Sequence, residues 1–410
     1  MSIMEINFMY RIILILFLVN SQPVFSQTQP IQIKTDLAFF SERFLSVKNK
    51  HRYSNKNITK LGLRYDKKNI SSQLSLNYNQ DDNYTLDGSY LQYTSGIITF
   101  GVGSIDRNWS FSDNTSLILS QNARPTQSIY LKLKNKFNYA WLPSEANWSF
   151  EAFNGINEDG LNNTNSMLTG VRAILSPTEG LEFELVQTSQ WGGKGHSKGI
   201  SALGAALFFD TNVGSNSNIN KMAGFGISYK IPRKIIPLRI YGQAIGEDEA
   251  GSLPSCYTYL LGLKWTNQKI KYPSTIGIEA IDTRTDTTAR GFCGPNSMYN
   301  NSTYKYTNYG KTMGTAIDSE GTSLSVFVRS EISKEINIEL TTKSVVINDN
   351  NWSEHRLSSK RQTGLVNSIS VSWVRNNISF NGDIYNQGFN LDKADIRSGY
   401  GVGFSTSITF

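Results

Sequence analysis

Four stretches of the sequence gather side chains that could hold a sugar chain. Residues 106–125 open on Asp106, Arg107 and Trp109 and close on Asn122 and Arg124. Residues 191–220 begin Trp191-Gly192-Gly193-Lys194-Gly195-His196, and residues 247–255 carry Glu247 and Asp248 and close through Pro254. Residues 284–321 set Tyr299, Tyr304, Tyr306 and Tyr309 among Asn, Thr and Gly. Aromatic rings cover the C–H faces of sugars, while amides and Arg–carboxylate pairs offer planar hydrogen-bonding groups to hydroxyls. Trp109, Trp191 and the tyrosines are therefore expected to stack, with Asp106, Arg107, Asn122 and Arg124 fixing the loop and offering hydrogen bonds. The same charges, with Glu247 and Asp248, read equally well as an ion network that only braces the loops.

No catalytic residue, metal or cofactor is expected. The sequence has no G-x-S-x-G elbow, Walker lysine loop or dinucleotide fingerprint, and Gly192-Gly193-Lys194-Gly195 lacks the spacing of a phosphate loop. The three histidines, His51, His196 and His355, show no ligand spacing. Glu247, Asp248 and Glu249 are adjacent, and adjacent acids do not straddle a glycosidic bond.

The elements that must position these stretches are strands. Eighteen alternating segments of about ten residues run at roughly 31–47, 57–66, 70–80, 84–93, 96–105, 126–137, 147–155, 166–175, 180–190, 221–231, 235–246, 256–266, 274–283, 322–332, 335–346, 364–374, 377–386 and 398–410. The first also fits a helix over Phe39 to Leu45. In the last, Tyr400, Val402, Phe404, Thr406, Ile408 and Phe410 share one face, and Gly401, Gly403, Ser405, Ser407 and Thr409 the other. That pattern suits lipid outside and water inside. Connections alternate between short ones such as Lys67-Lys68-Asn69 and Arg375-Asn376 and long ones at 106–125, 191–220, 284–321 and 347–363. The expectation is an all-β fold: a transmembrane antiparallel β-barrel of about eighteen strands with short periplasmic turns and long extracellular loops.

Composition agrees. Aromatics reach 12%, yet the hydrophobic fraction is only 39%, as expected when half of each strand faces water. Arg11, the apolar run Ile12 to Val19 and Val24-Phe25-Ser26 read as a signal peptide over residues 1–26, leaving 27–410 as one domain in the outer membrane. The net charge of +7 is scattered, which would favour acidic solutes; outer-membrane lipids are expected partners, nucleic acid is not, and a monomer is expected. Cys256 and Cys293 are the only cysteines, and in an oxidising compartment they are expected to pair, with free thiols or half a metal site as alternatives.

From about Ile97 onward the sequence resembles the capsule assembly protein Wzi family. The blocks are I-D-R-x-W followed by S-L-I-L-S-x-N-A-R-P, then Q-W-G-G-K-G, Ala223-Gly224-Phe225, Y-G-Q-x-I-G-E-D-E-A-G with Pro254, and Gly277 to Asp282 before the tyrosine-rich loop. The resemblance implies an eighteen-stranded outer-membrane barrel that binds capsular polysaccharide as a lectin and helps attach or assemble the capsule. Two departures stand out. Asn108-Trp109-Ser110-Phe111-Ser112 replaces a second Trp and a Gly-Pro-Gly, and residues 27–56 are short for the helical plug of the family, so a reduced plug is expected. A porin-like diffusion channel for small or acidic solutes is the alternative.

Overall fold

A computed structural model describes residues 31–45, 57–79, 83–138, 145–158, 165–208, 219–232, 234–250, 253–285 and 293–410. The expected signal peptide, and residues 27–30 and 46–56 of the amino-terminal segment, lie outside the described residues. In chain order the strands are β1 (Ile31–Phe40), β2 (Asn57–Lys67), β3 (Ile70–Asn79), β4 (Asn83–Thr85), β5 (Tyr90–Ser95), β6 (Ile98–Gly103), β7 (Gln127–Phe137), β8 (Ala146–Asn157), β9 (Ser166–Thr178) and β10 (Leu181–Trp191). Helix α1 (Ile200–Phe208) follows, then β11 (Asn220–Lys230), β12 (Leu238–Ala250), β13 (Leu253–Asn267) and β14 (Ser274–Asp282). A small hairpin, β15 (Thr307–Asn308) and β16 (Lys311–Thr312), precedes β17 (Thr322–Glu331), β18 (Ile336–Ile347), β19 (Gln362–Arg375), β20 (Ile378–Gln387) and β21 (Gly399–Thr409).

Apart from the β15–β16 hairpin, the strands form one antiparallel sheet in which each pairs with the next along the chain, except that β4 and β5 both pair with β3 and β14 pairs with β17. The seam closes between β1 and β21, from Lys34↔Thr409 to Phe40↔Gly403. Strands β4 and β5 lie end to end against β3, so the wall is a closed barrel of eighteen staves. Closure removes every sheet edge, which hydrocarbon demands because it offers an unpaired N–H nothing to bond.

Side chains alternate across the wall. On β10, Phe183 and Leu185 are exposed on the outside while Glu184, Val186 and Thr188 are buried within. On β21, Tyr400, Val402 and Phe404 face out, the register read from the sequence. Two expectations change. The first segment is a strand only to Phe40, after which the chain turns inward: Phe44 stacks on Tyr385 at 3.8 Å and the Leu45 amide donates to Gln387 at 2.9 Å. The loop expected at 247–255 is instead a continuation of the β12–β13 ladder, with Asp248↔Ser255 and Glu249↔Pro254 in register.

The inner wall is built to let rings lie flat. A Cβ placed on Gly277 would stand 2.1 Å from the Phe327 ring, and one on Gly262 would stand 2.1 Å from Tyr241. These glycines are seats for aromatic faces on the adjoining stave. Gly277→Val should cost about 1–3 kcal/mol by overpacking, seen as an earlier urea midpoint for the detergent-folded barrel; an unchanged midpoint would contradict the close packing.

Candidate functional site

The long loop between β6 and β7, residues 104–126, does not reach outward. It folds down into the lumen and makes its own apolar knot, because Trp109, Phe111, Leu117, Ile118 and Leu119 have no other place to hide from water. All five are buried, packed with Tyr130, Phe153, Tyr241 and Met313. Trp109 meets Phe153 edge-on at 5.4 Å. The polar wall holds the loop by its backbone: Gln243 Nε2 donates to the Trp109 carbonyl at 2.6 Å, and the Leu117 amide donates to Gln243 Oε1 at 3.0 Å. Gln243 also donates to Glu184 at 3.0 Å, which in turn accepts from Arg172 at 2.7 Å. Ser112 donates to Glu279, and Asp113 pairs with Lys264. Buried polar groups without partners would each cost about 1–3 kcal/mol, so the network specifies where the loop must sit.

The described residues of the loop after β14, 283–285 and 293–321, close over this plug. Tyr299 and Tyr306 stack on each other at 5.8 Å and reach down to it, donating to the Leu117 carbonyl at 2.6 Å and the Ile118 carbonyl at 2.9 Å. Tyr304 donates to the Gly192 carbonyl at 2.8 Å. The Ser120 amide donates to Met313 at 2.8 Å, and Asn122 Nδ2 to Thr312 at 2.8 Å. Cys256 on β13 is disulfide-bonded to Cys293, with Cα atoms 5.7 Å apart, so the cap is covalently tied to the wall. Below the plug, toward the short turns, a cavity of about 760 Å³ is lined by Lys34, Asp36, Lys60, Glu339, Ser370 and Asp383.

These contacts place the residues singled out in the sequence. Trp109, Trp191, Tyr304 and Tyr306 are buried, so the expectation that they stack on sugar is corrected: none offers a ring face to solvent. The Trp191 indole instead donates to Thr169 at 2.8 Å. Arg107 is buried against Glu151 at 2.9 Å and lies 3.9 Å over the Phe153 ring. Asn122 is likewise buried. Glu247 is buried and accepts the Tyr299 amide at 3.1 Å. The side chain of Asp248 lies outside the described residues. Asp106 and Lys194 are exposed.

Arg124 is half-buried and forms a bidentate pair with Asp87 at 2.9 and 3.2 Å. Its guanidinium lies 3.7 Å over the ring of Tyr309. Tyr309 sits at the tip of the β15–β16 hairpin, 42% exposed, with its own φ at +50° followed by Gly310 at +73°. A bulky side chain in left-handed backbone is costly, and here the hairpin turns that ring outward. The signal was legible as Thr-Asn-Tyr-Gly-Lys-Thr, a two-residue turn between matched polar arms.

The cap is also held by charge. Arg356 donates to Asp318 at 2.7 Å through Nε, with a second contact through its terminal nitrogen, and to Asn300 at 2.5 Å. Burial alone would raise the Asp318 carboxyl, but the Arg356 guanidinium beside it outweighs burial and holds it below the ordinary range. A depressed native pKa adds stability above the unfolded value of about 4, and that stability is lost as pH falls through the native pKa. Arg356→Met, which leaves Asp318 buried and unpaired, should cost about 3–5 kcal/mol at pH 5–8. The gap in melting midpoint between variant and parent should narrow below about pH 4; a pH-independent gap would contradict the pairing.

The sequence matches the family described as capsule assembly protein Wzi over residues 27–394. A Klebsiella pneumoniae relative, an uncharacterized 55.8 kDa protein in the cps region, is 26% identical over 213 residues, which is 50% of this chain and 41% of the relative. The match therefore spans less than half of that relative's length. Among solved structures, Wzi of Escherichia coli, described as an outer-membrane protein involved in group 1 capsule assembly and a carbohydrate-binding β-barrel, is 20% identical with a TM-score of 0.74 over 92% of this chain and 84% of its own. OprD of Pseudomonas aeruginosa is 9% identical with a TM-score of 0.50 over 95% and 96%. With its closed eighteen-stave wall, its apolar exterior and a match running through nearly the whole sequence, the chain belongs to the capsule assembly protein Wzi family of outer-membrane β-barrels.

Proposed function

We propose that this barrel holds capsular or related surface polysaccharide at its outer face and helps keep it attached to the cell, acting as a monomeric, non-catalytic binding protein. Tyr309 carries the reading. Its ring is presented at a strained hairpin tip, backed by Arg124 and Asp87, which is a rigid stacking face with hydrogen-bonding groups beside it. The exposed carboxylate of Asp106 lies in the same plug loop as Arg124 and extends the polar rim. The buried residues of the earlier set act one step back, by fixing plug and cap so that the hairpin is held still. A shallow site gains retention from many copies along one polymer.

Tyr309→Ala should weaken binding of purified capsular polysaccharide by about threefold to tenfold, the worth of one aromatic contact, and shift capsule into the medium, with the melting midpoint unchanged. Trp109→Ala should do the opposite first, costing about 3–5 kcal/mol of stability. Full polysaccharide binding by a folded Tyr309→Ala barrel would sink the assignment.

The diffusion-channel reading draws on the cavity of about 760 Å³ below the plug. Against it stands the plug, held to β12 by the Leu117 amide on Gln243 and to β14 by the Ser112 hydroxyl on Glu279. The purified barrel should show no steady conductance in planar bilayers; a stable open level would favour the channel.

A further inference from the structure

Near the outer end of β10 the apolar belt gives way to polar side chains, and a helix covers them. Toward the outer end of the wall, the outward register of β10 passes from Phe183 and Leu185 to Gln187 and Ser189. Gln187 stands beside Val171 and Ala223, and Ser189 beside Thr169 and Lys221. Leu185, two residues below Gln187, is 65% exposed, so the polar patch begins about 6–7 Å up the strand from a lipid-facing leucine. Uncovered hydroxyl and amide groups at that depth would be costly in hydrocarbon.

Helix α1 lies across the patch from outside. Gln187 Nε2 donates to the carbonyls of Ala206 and Leu207 at 3.2 Å each, and Ser189 Oγ donates to Ala206 at 2.7 Å. Those are carbonyls of the last helical turn, which have no partner within a helix. Ala206 packs with Trp191 and Ile219, and Ala202 and Leu203 press against them. The helix sequence, Ile-Ser-Ala-Leu-Gly-Ala-Ala-Leu-Phe, contains no charge. Its large side chains turned away from the wall are apolar, with Ile200 90% and Phe208 81% exposed, and the one polar side chain of the helix, Ser201, is exposed beside Ile200. Just before it, Lys194 and Lys198 are exposed in the segment that leaves the top of β10.

We infer that α1 is seated in the outer leaflet, with Ile200 and Phe208 among acyl chains and Lys194 and Lys198 against the phosphates of an acylated, phosphorylated glycolipid. Two features select this occupant. The exposed face is continuous with the lipid-facing belt through Leu185 and Phe225, partners in the β10–β11 register. The cations lie at the end of the segment nearest water, which matches the order of phosphate and hydrocarbon in such a lipid. A second barrel docked here would bring the same lysines together and repel.

The test uses the full-length barrel. Phe208→Trp in vesicles of acyl-brominated phosphatidylcholine should lose about half or more of the emission it adds over the parent protein, compared with unbrominated vesicles, as an indole at acyl depth does. Separately, the parent should retain purified hexa-acylated lipid A in native mass spectra, and Lys194→Glu/Lys198→Glu should retain it on the order of tenfold less, with the heat-modifiable gel shift confirming that the variant is folded. Dephosphorylated lipid A should not distinguish the two. Unquenched emission from Trp at position 208, or a stable dimer through this face, overturns the seat; equal lipid A retention by the folded lysine variant overturns the phosphate contact.

Discussion

A peptide group left unpaired in hydrocarbon costs several kcal/mol, and this constraint organises the molecule. It forces the β1–β21 seam to close, and closure with eighteen staves sets a bore too wide for wall side chains to fill. The bore must then be water, ligand or chain. Here the outer half is chain. The result inverts the order of a soluble protein: apolar groups lie outside against lipid, polar groups line the wall, and an apolar knot around Trp109, Leu117 and Ile118 sits at the centre.

That knot could not be stable on hydrophobicity alone, since it touches a polar wall. Its backbone carbonyls and amides are answered by Gln243, Tyr299 and Tyr306, and its Ser112 and Asp113 by Glu279 and Lys264. Each of these wall and cap residues has a job only because the loop lies where it does. Glu184 pairs with Arg172 on the neighbouring strand and bonds Gln243, so plug position is transmitted to the wall through a short chain of partners. Such networks are sensitive to losing one member and insensitive to solvent.

The barrel was almost wholly legible because its signals are local. Alternation repeats every two residues, and turn chemistry stands between segments, so each strand announces itself without tertiary information; the segments read at 322–332 and 335–346 match β17 and β18 to within a residue or two. The ladder at Glu247 to Ser255 was missed because acidic residues, glycine and proline look like a turn, whereas pairing with the facing strand decides. The site was far less legible. Residue type says that tryptophan and tyrosine can stack on sugar, but not which side of a loop faces water. Trp109 is committed to the interior by the apolar run Leu117-Ile118-Leu119 twenty-odd ångströms of chain away, a density that an exposed loop has no use for. Likewise Ile200 to Phe208 is an apolar stretch too regular for a surface loop.

The plug is continuous with the wall at both ends: β6 runs into it at Gly103 and β7 leaves it at Gln127. It is a tethered stopper, unable to depart as a rigid body in the manner of a separate domain. Any opening of the bore would have to proceed by local melting, contact by contact, with β6 and β7 fraying as the loop is drawn out. Mechanical load on the cap would accordingly spread along two adjacent staves, and leakage under strain would rise by degrees instead of switching.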